Sequence, residues 1–213
     1  MKEILIKKMS NEKVLNNKIK KNYEKLEEEI NESFNSEKST TSIEITYEEL
    51  KEEIINKEEN KLEKIIESIS SILEKLIKKN NHNSSEKNLK NYLNYFQSEE
   101  KPEISIFHYL NRIVKYTNCE ENTLILSLIY LDKVCLKKIN LSIYNIHRFL
   151  FASLLIAIKF NEDKIYKNDY YSQIAGISNN ELNLIEFYFL QIIDFQTFIN
   201  ENVFNMYKDT FKF

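Results

Sequence analysis

The chain has 213 residues and a net charge of −3, and 30% of its residues are charged. Acidic and basic side chains are interleaved, so we expect no basic surface that would hold nucleic acid. The whole sequence contains one glycine, Gly176, and one proline, Pro102. Phosphate-binding loops, nucleophile elbows and tight hairpins need glycine where φ is positive or where the backbone approaches a ligand. The composition therefore excludes the common nucleotide-binding and hydrolase folds and favours an all-α protein with short connections.

Cofactors, metals and membranes are also not indicated. Cys119 and Cys135 lie in apolar stretches without the spacing of a metal site, and the three histidines have no metal-ligand spacing either. The longest apolar stretch, residues 149–158, is too short to cross the roughly 30 Å of a bilayer as a helix. Because no signal peptide is recognised, we expect an intracellular protein in the cytoplasm, the nucleus or both, with no cofactor and no metal.

Residues 1–100 are mostly Glu, Lys, Asn and Ser, and they are predicted to form a charged N-terminal extension. A helix is predicted over residues 47–79, and a second, short helix over 86–97 is expected to pack on the domain that follows. Apolar residues in the first helix recur at the intervals of a coiled-coil seam: Ile55, Leu62, Ile66, Ile69, Leu73 and Leu76. Two interpretations stay open, a solvated or partly disordered helix and a coiled coil that binds a partner.

Residues 101–195 are dense in Ile, Leu, Phe and Tyr and are predicted to form a five-helix domain, followed by a short amphipathic helix within 196–213. The third helix is apolar on every side, which is typical of a segment at the centre of a bundle. The five helices are predicted over residues 104–116, 121–136, 143–160, 169–175 and 179–193.

Capping signals mark three ends of these helices. Ser142 is the expected N-cap of the third helix. Gly176 is expected to end the fourth helix in a left-handed conformation, because glycine adopts positive φ at little cost. Ser178 and Glu181 have the spacing of a capping box at the start of the fifth helix.

A series of short sequence blocks lies along this domain in a defined order: 105–116, 128–133, 145–150, 157–160, 168–171, 175–177 and 181–186. In order and spacing these blocks resemble the cyclin box of the P/U-type (phosphate-regulation) cyclins. The resemblance implies a five-helix box with a buried third helix, in agreement with the periodicity. It does not extend to residues 1–100.

The resemblance also implies a function. P/U-type cyclins are non-catalytic cell-cycle regulators that bind and activate a cyclin-dependent protein kinase by docking on the helix with its catalytic glutamate. By position in the blocks, Lys159 and Glu186 correspond to the Lys–Glu pair that contacts the kinase backbone, and Arg112 and Asp132 to an internal ion pair. Lys133 stands where the family more often has Arg. The implied assembly is a heterodimer with such a kinase, without nucleic acid or membrane.

Three other functions would each require different features of the sequence. A non-catalytic helical scaffold would assemble through the coiled-coil-like segment at residues 55–76. A cyclin-fold transcription factor usually has two cyclin boxes and a basic surface, and the sequence has neither feature. No group of residues supports an enzyme.

Overall fold

The computed structural model describes residues 47–81 and 91–211. Within these ranges every regular element is helical, so the all-α prediction is confirmed. In chain order the elements are α1 Tyr47–Asn81, a 3-10 helix Asn91–Phe96, α2 Ile106–Thr117, α3 Glu121–Leu136, α4 Ile146–Asn161, α5 Asn168–Ala175, α6 Asn179–Ile192 and α7 Glu201–Asp209. The five helices α2 to α6 correspond to the five that were predicted.

The chain divides into two compact units, Met1–Asn60 and Lys61–Phe213. Of the first unit the structure describes residues 47–60, which are helical. The second unit contains the rest of α1 and all later elements. Residues 61–81, which the sequence analysis assigned to the extension, therefore belong to the same compact unit as residues 101–195.

One face of α1 is buried in the core of this second unit. Ile66, Ile69 and Leu73, three members of the predicted seam, are at most 2% exposed, and the adjacent Ile65 is 1% exposed. In the part whose side chains the structure describes, the seam therefore packs against the chain's own core. This burial argues against the coiled-coil interpretation. The side chain of Ile55 lies outside the described residues.

The central helix of the bundle is α4, as predicted. Between Ile146 and Ile158 every residue except Arg148 is buried, and α4 contacts α2, α3, α5, α6 and the 3-10 helix. Phe96 of the 3-10 helix is fully buried and stacks on Phe149, with ring centroids 4.1 Å apart. Within the predicted helix 86–97, residues 91–96 therefore form a 3-10 helix that packs on the domain, while residues 82–90 lie outside the described part.

The start of α4 corrects the prediction. The helix begins at Ile146, with Asn145 rather than Ser142 in the N-cap position. Asn145 Oδ1 accepts a hydrogen bond from the Ser142 N–H at 2.8 Å, and Asn145 Nδ2 donates to the Asn140 carbonyl at 3.0 Å. Such bonds between Asn and nearby backbone groups compete with helical ones. They hold a turn over residues 142–145 and delay the helix.

The two other capping predictions are confirmed in their main points. Gly176 has φ of 75° at the end of α5. Ser178 Oγ accepts from the Glu181 N–H at 3.2 Å at the start of α6. The Glu181 carboxylate does not return to the Ser178 N–H, because it forms an ion pair with Arg148 of α4.

Several helices end in turns that use left-handed residues other than glycine. Asn118, Lys138, Asp194 and Phe195 have φ between 52° and 61°, a conformation that costs most residues about 1–2 kcal/mol. The last of these turns is held to α3 by an ion pair of Asp194 with Lys137. Scarce glycine therefore does not prevent tight turns in this fold.

Candidate functional site

Lys159 and Glu186 meet where α4 reaches the surface. Lys159 directly follows the buried stretch of α4 that ends at Ile158, and Glu186 directly follows the buried Ile185 on α6. Lys159 Nζ lies 2.5 Å from Glu186 Oε1, and the two side chains are 29% and 18% exposed. The two charges selected from the sequence thus form one partly buried ion pair between neighbouring helices.

Asn168, the first residue of α5, completes this arrangement. Its Nδ2 lies 2.7 Å from Glu186 Oε2 and 2.7 Å from Asn183 Oδ1. Each carboxylate oxygen of Glu186 therefore has its own donor, which fixes the orientation of the group. Asn168 was not expected as a site residue, since helical periodicity gives no signal for a contact between separate helices.

Large apolar side chains are exposed beside the pair. Phe160, which directly follows Lys159, is 51% exposed, and Phe187, which directly follows Glu186, is 48% exposed. Leu184, also on α6, is 38% exposed. Apolar groups around a small number of oriented charges are typical of a surface that binds another protein.

The predicted ion pair of Arg112 with Asp132 is not present between these two described residues. The Arg112 guanidinium carbon lies 5.0 Å from the centroid of the Tyr109 ring on its own helix. Asp132 is exposed, and its Oδ2 accepts a hydrogen bond from Tyr207 Oη of α7 at 2.7 Å. The two charges were expected to join α2 and α3, but each has a different neighbour.

Lys133, the residue next to Asp132, has a structural contact of its own. Its Nζ donates to the Gln196 carbonyl at 2.7 Å, and burial lowers its pKa. A single carbonyl acceptor needs only one donor, so the ammonium of Lys suffices where the family more often has the fork-shaped guanidinium of Arg. The contact holds the turn after α6 against α3.

The described residues contain neither a membrane-spanning helix nor a metal-binding cluster. None of their helices combines the length and apolar character that crossing a membrane requires. The same residues contain no group of three or more His, Cys, Asp or Glu side chains that could hold a metal ion.

Comparison with known proteins agrees with this architecture. Residues 11–197 match the family model Cyclin. The chain is 34% identical over 148 residues to Cyclin-U4-1 of Arabidopsis thaliana, which covers 68% of this chain and 73% of that protein. It is 32% identical over 147 residues to Cyclin-U1-1 of Arabidopsis thaliana, covering 68% and 70%. It is 38% identical over 114 residues to Cyclin-P4-1 of Oryza sativa subsp. japonica, covering 53% and 54%.

These matches confirm the resemblance to P-type and U-type cyclins that the sequence blocks indicated. The family match begins at residue 11, so the likeness reaches into residues 1–100, where the sequence blocks had indicated none. The chain belongs to the cyclin family, a family of non-catalytic regulatory proteins.

Proposed function

We propose that this cyclin binds and activates a cyclin-dependent protein kinase of the kind that P/U-type cyclins bind, by docking on the helix with the kinase's catalytic glutamate. The observation that carries the proposal is the partly buried Lys159–Glu186 pair beside the exposed Phe160 and Phe187. Membership of the cyclin family supports the same reading.

The chemistry of the pair suits a protein backbone as its partner. The Lys159 ammonium has three N–H donors, and its bond to Glu186 uses one of them. The remaining donors fit carbonyl oxygens at the end of a kinase helix. Each Glu186 oxygen has a second lone pair that fits a backbone N–H. The exposed Phe160 and Phe187 add apolar area that excludes water from these bonds.

Activation then follows from binding without any chemistry in the cyclin. Phosphoryl transfer requires an ion pair between a lysine and a glutamate of the kinase itself. A cyclin that binds the inward position of the glutamate-bearing helix better than the outward position shifts the kinase population toward the active state. The free energy that shifts the kinase toward its active conformation is the difference between the cyclin's binding free energies for the two helix positions.

The direct test is co-purification of the full chain with a kinase from the cells that produce both proteins. Phosphorylation assays with the purified pair then measure activation. Lys159→Ala and Glu186→Ala are expected to lose most kinase binding and activation while the circular dichroism stays helical. The matched control is Lys137→Ala, which removes a different ion pair, with Asp194, and is expected to bind normally. Unchanged binding by both site variants would refute the docking contact.

A further inference from the structure

Large apolar side chains are exposed at the end of α3, in the segment after α6 and on α7. Their exposed fractions range from 41% to 76%. Together they are called the α3–α7 patch: Leu136, Phe195, Phe198, Val203 and Met206. Single exposed apolar residues are normal on a soluble protein, whereas a contiguous group marks a surface that binds another molecule. Their significance therefore depends on whether they lie together.

The segment after α6 lies against the last turn of α3. Asp194 forms an ion pair with Lys137. The Gln196 carbonyl oxygen accepts a hydrogen bond from Lys133 Nζ at 2.7 Å. Phe195 stands between these two anchored residues and is 57% exposed. Its φ is 56°, a left-handed conformation that residues other than glycine seldom adopt. The chain thus keeps an unfavourable backbone conformation where it leaves an aromatic side chain in water.

Phe198, which is 76% exposed, extends the patch along α3. It directly follows Thr197, whose carbonyl oxygen accepts a hydrogen bond from Tyr130 Oη at 2.7 Å. Tyr130 lies one helical turn before Lys133. The segment after α6 therefore runs along α3, with Phe195 near the end of the helix and Phe198 nearer its middle.

Leu136 and Met206 border the same part of α3. Asp132 lies four residues before Leu136 and so on the same face of the helix. Its Oδ2 accepts a hydrogen bond from Tyr207 Oη of α7 at 2.7 Å, and Met206 directly precedes Tyr207. Val203 lies three residues before Met206, on the same face of α7. The exposed side chains of α3 and α7 therefore flank one contact between the helices and form one apolar surface with the segment after α6.

The exposed area of the patch is that of a protein–protein interface core. Since a large apolar side chain offers on the order of 200 Å² when fully exposed, the exposed fractions correspond to roughly 600 Å² in total. Monomers seldom expose contiguous apolar surfaces larger than this. A standard interface takes about 800 Å² from each partner, including a polar rim. The patch is therefore large enough for the centre of one stable interface.

The charges of the residues that border the patch are balanced. Asp132 and Asp194 contribute two negative charges. Lys133 and Lys137 contribute two positive ones. A strongly acidic or basic partner gains no net attraction from such a surface. A second copy of the chain has the same balanced charges and the same apolar centre, and a two-fold axis buries the patch of each copy against that of the other.

We propose that this chain forms a homodimer through the α3–α7 patch. The interface leaves the proposed kinase-docking pair accessible, because the two sites lie toward opposite ends of α3. Glu162, three residues after Lys159, accepts a hydrogen bond from the Glu120 N–H at the start of α3 at 2.8 Å. The patch lies against the last two turns of this helix, whose 16 residues span about 24 Å. One dimer therefore presents two docking pairs.

Sedimentation velocity of the full chain tests the dimer. Between about 1 and 100 µM the sedimentation coefficient is expected to rise toward the value of a dimer, because an interface of modest area gives micromolar affinity. A coefficient that stays monomeric throughout this range would overturn the proposal. Co-purification of the kinase is measured separately. A monomer that binds the kinase contradicts only the dimer, and a dimer that binds no kinase contradicts only the proposed function.

Variants locate the interface. Phe198→Glu and Met206→Glu are each expected to weaken dimerisation by about tenfold or more, because a carboxylate buried in an apolar interface is unfavourable. The control is Ile72→Glu, which changes an apolar residue of α1 that is 44% exposed outside the patch, and it is expected to dimerise like the wild type. Circular dichroism verifies that each variant is folded. If folded patch variants dimerise like the wild type, or if Ile72→Glu weakens dimerisation equally, the patch is not the interface.

Discussion

Lys159 and Glu186 lie on different helices, yet their charged groups are 2.5 Å apart, so the two residues proposed to contact a kinase already hold each other in place. Paired charges lose less conformational entropy on binding than two mobile side chains would. The same contact also joins α4 to α6. Any test of kinase binding must therefore separate loss of the docking contact from loss of the helix–helix contact.

Exchanging the two charges separates these roles. Lys159→Glu and Glu186→Lys alone each place like charges next to each other, so each is expected to lower the free energy of unfolding by about 1–3 kcal/mol. The double variant restores opposite charges and is expected to regain much of that stability in urea denaturation. It is not expected to regain kinase binding, because the kinase backbone would then face reversed charges. Recovery of both properties would contradict a direct contact.

Asn168 is expected to support kinase binding through Glu186. Asn168→Ala removes the donor 2.7 Å from Glu186 Oε2, which is expected to cost about 1 kcal/mol of stability. Kinase affinity is expected to fall severalfold, less than in Glu186→Ala, because the carboxylate remains but loses its fixed orientation. Surface plasmon resonance measures both effects on affinity. Gln173→Ala, an exposed position on the same helix, is the control, and an equal loss in that variant would point to general damage to α5.

The parts of the fold that follow from local chemistry could be predicted from the sequence. The bounds of α3 agree with the prediction, and so do the left-handed Gly176 and the Ser178 cap, because neighbouring residues determine them. The partners of Arg112 and Asp132 could not be predicted in this way. Their positions in the family's sequence blocks suggested that they pair, but the direction of a side chain depends on packing between helices. Tyr207, more than seventy residues away from Asp132 in the sequence, donates a hydrogen bond to the Asp132 carboxylate.

The role of α1 shows the same limit and gives a further prediction. Its apolar spacing fits both a partner-binding seam and a core-facing stripe, and only the burial of Ile69 distinguishes them. Ile69→Ala is expected to destabilise the protein by about 2–5 kcal/mol, the usual effect of removing a buried aliphatic side chain. Ile72, which is 44% exposed on the same helix, is the matched control, and Ile72→Ala is expected to cost less than about 0.5 kcal/mol. Equal effects in urea denaturation would contradict the packing of α1.

Both cysteines are expected to be poorly reactive in the folded chain. Burial raises the pKa of Cys119 to about 12 and that of Cys135 to about 11. Each unit lowers the thiolate fraction tenfold, so near pH 8 alkylation by iodoacetamide is expected to be about a thousandfold slower at Cys119 and about a hundredfold slower at Cys135 than in the denatured chain. Mass spectrometry assigns the modified residue, and a native thiol that reacts as fast as a denatured one would contradict its burial.

The raised pKa values of the two thiols also make the folded state less stable at high pH. The folded pKa of each thiol exceeds its ordinary value of 9.0, so the unfolded chain releases these protons first as the pH rises. The stability that this protonation contributes is therefore complete below about pH 9 and is lost as the pH rises toward 11 and 12. Replacing both cysteines with serine is expected to reduce this alkaline loss in urea denaturation.

Glu162, just after α4, caps the start of α3 in place of a residue of that helix. Glu120 occupies the N-cap position without a capping bond from its own side chain. Instead, Glu162 Oε1 accepts from the Glu120 N–H at 2.8 Å and from the hydroxyl of the buried Thr123 at 2.5 Å. Glu162→Ala is thus expected to lower the free energy of unfolding by about 1–2 kcal/mol, the range for loss of an N-cap.

Glu162→Gln separates hydrogen bonding from charge at this cap. The amide oxygen of Gln still accepts both bonds, so only the attraction between the carboxylate and the positive end of the α3 dipole is lost, about 0.3–1 kcal/mol. Asp163, an exposed carboxylate next in the chain, is the control, and Asp163→Ala is expected to have little effect. If Glu162→Ala is as mild as that control in urea denaturation, the cap does not stabilise α3. The loss in Glu162→Gln is also expected to shrink in high salt, because salt screens the dipole but leaves the hydrogen bonds intact.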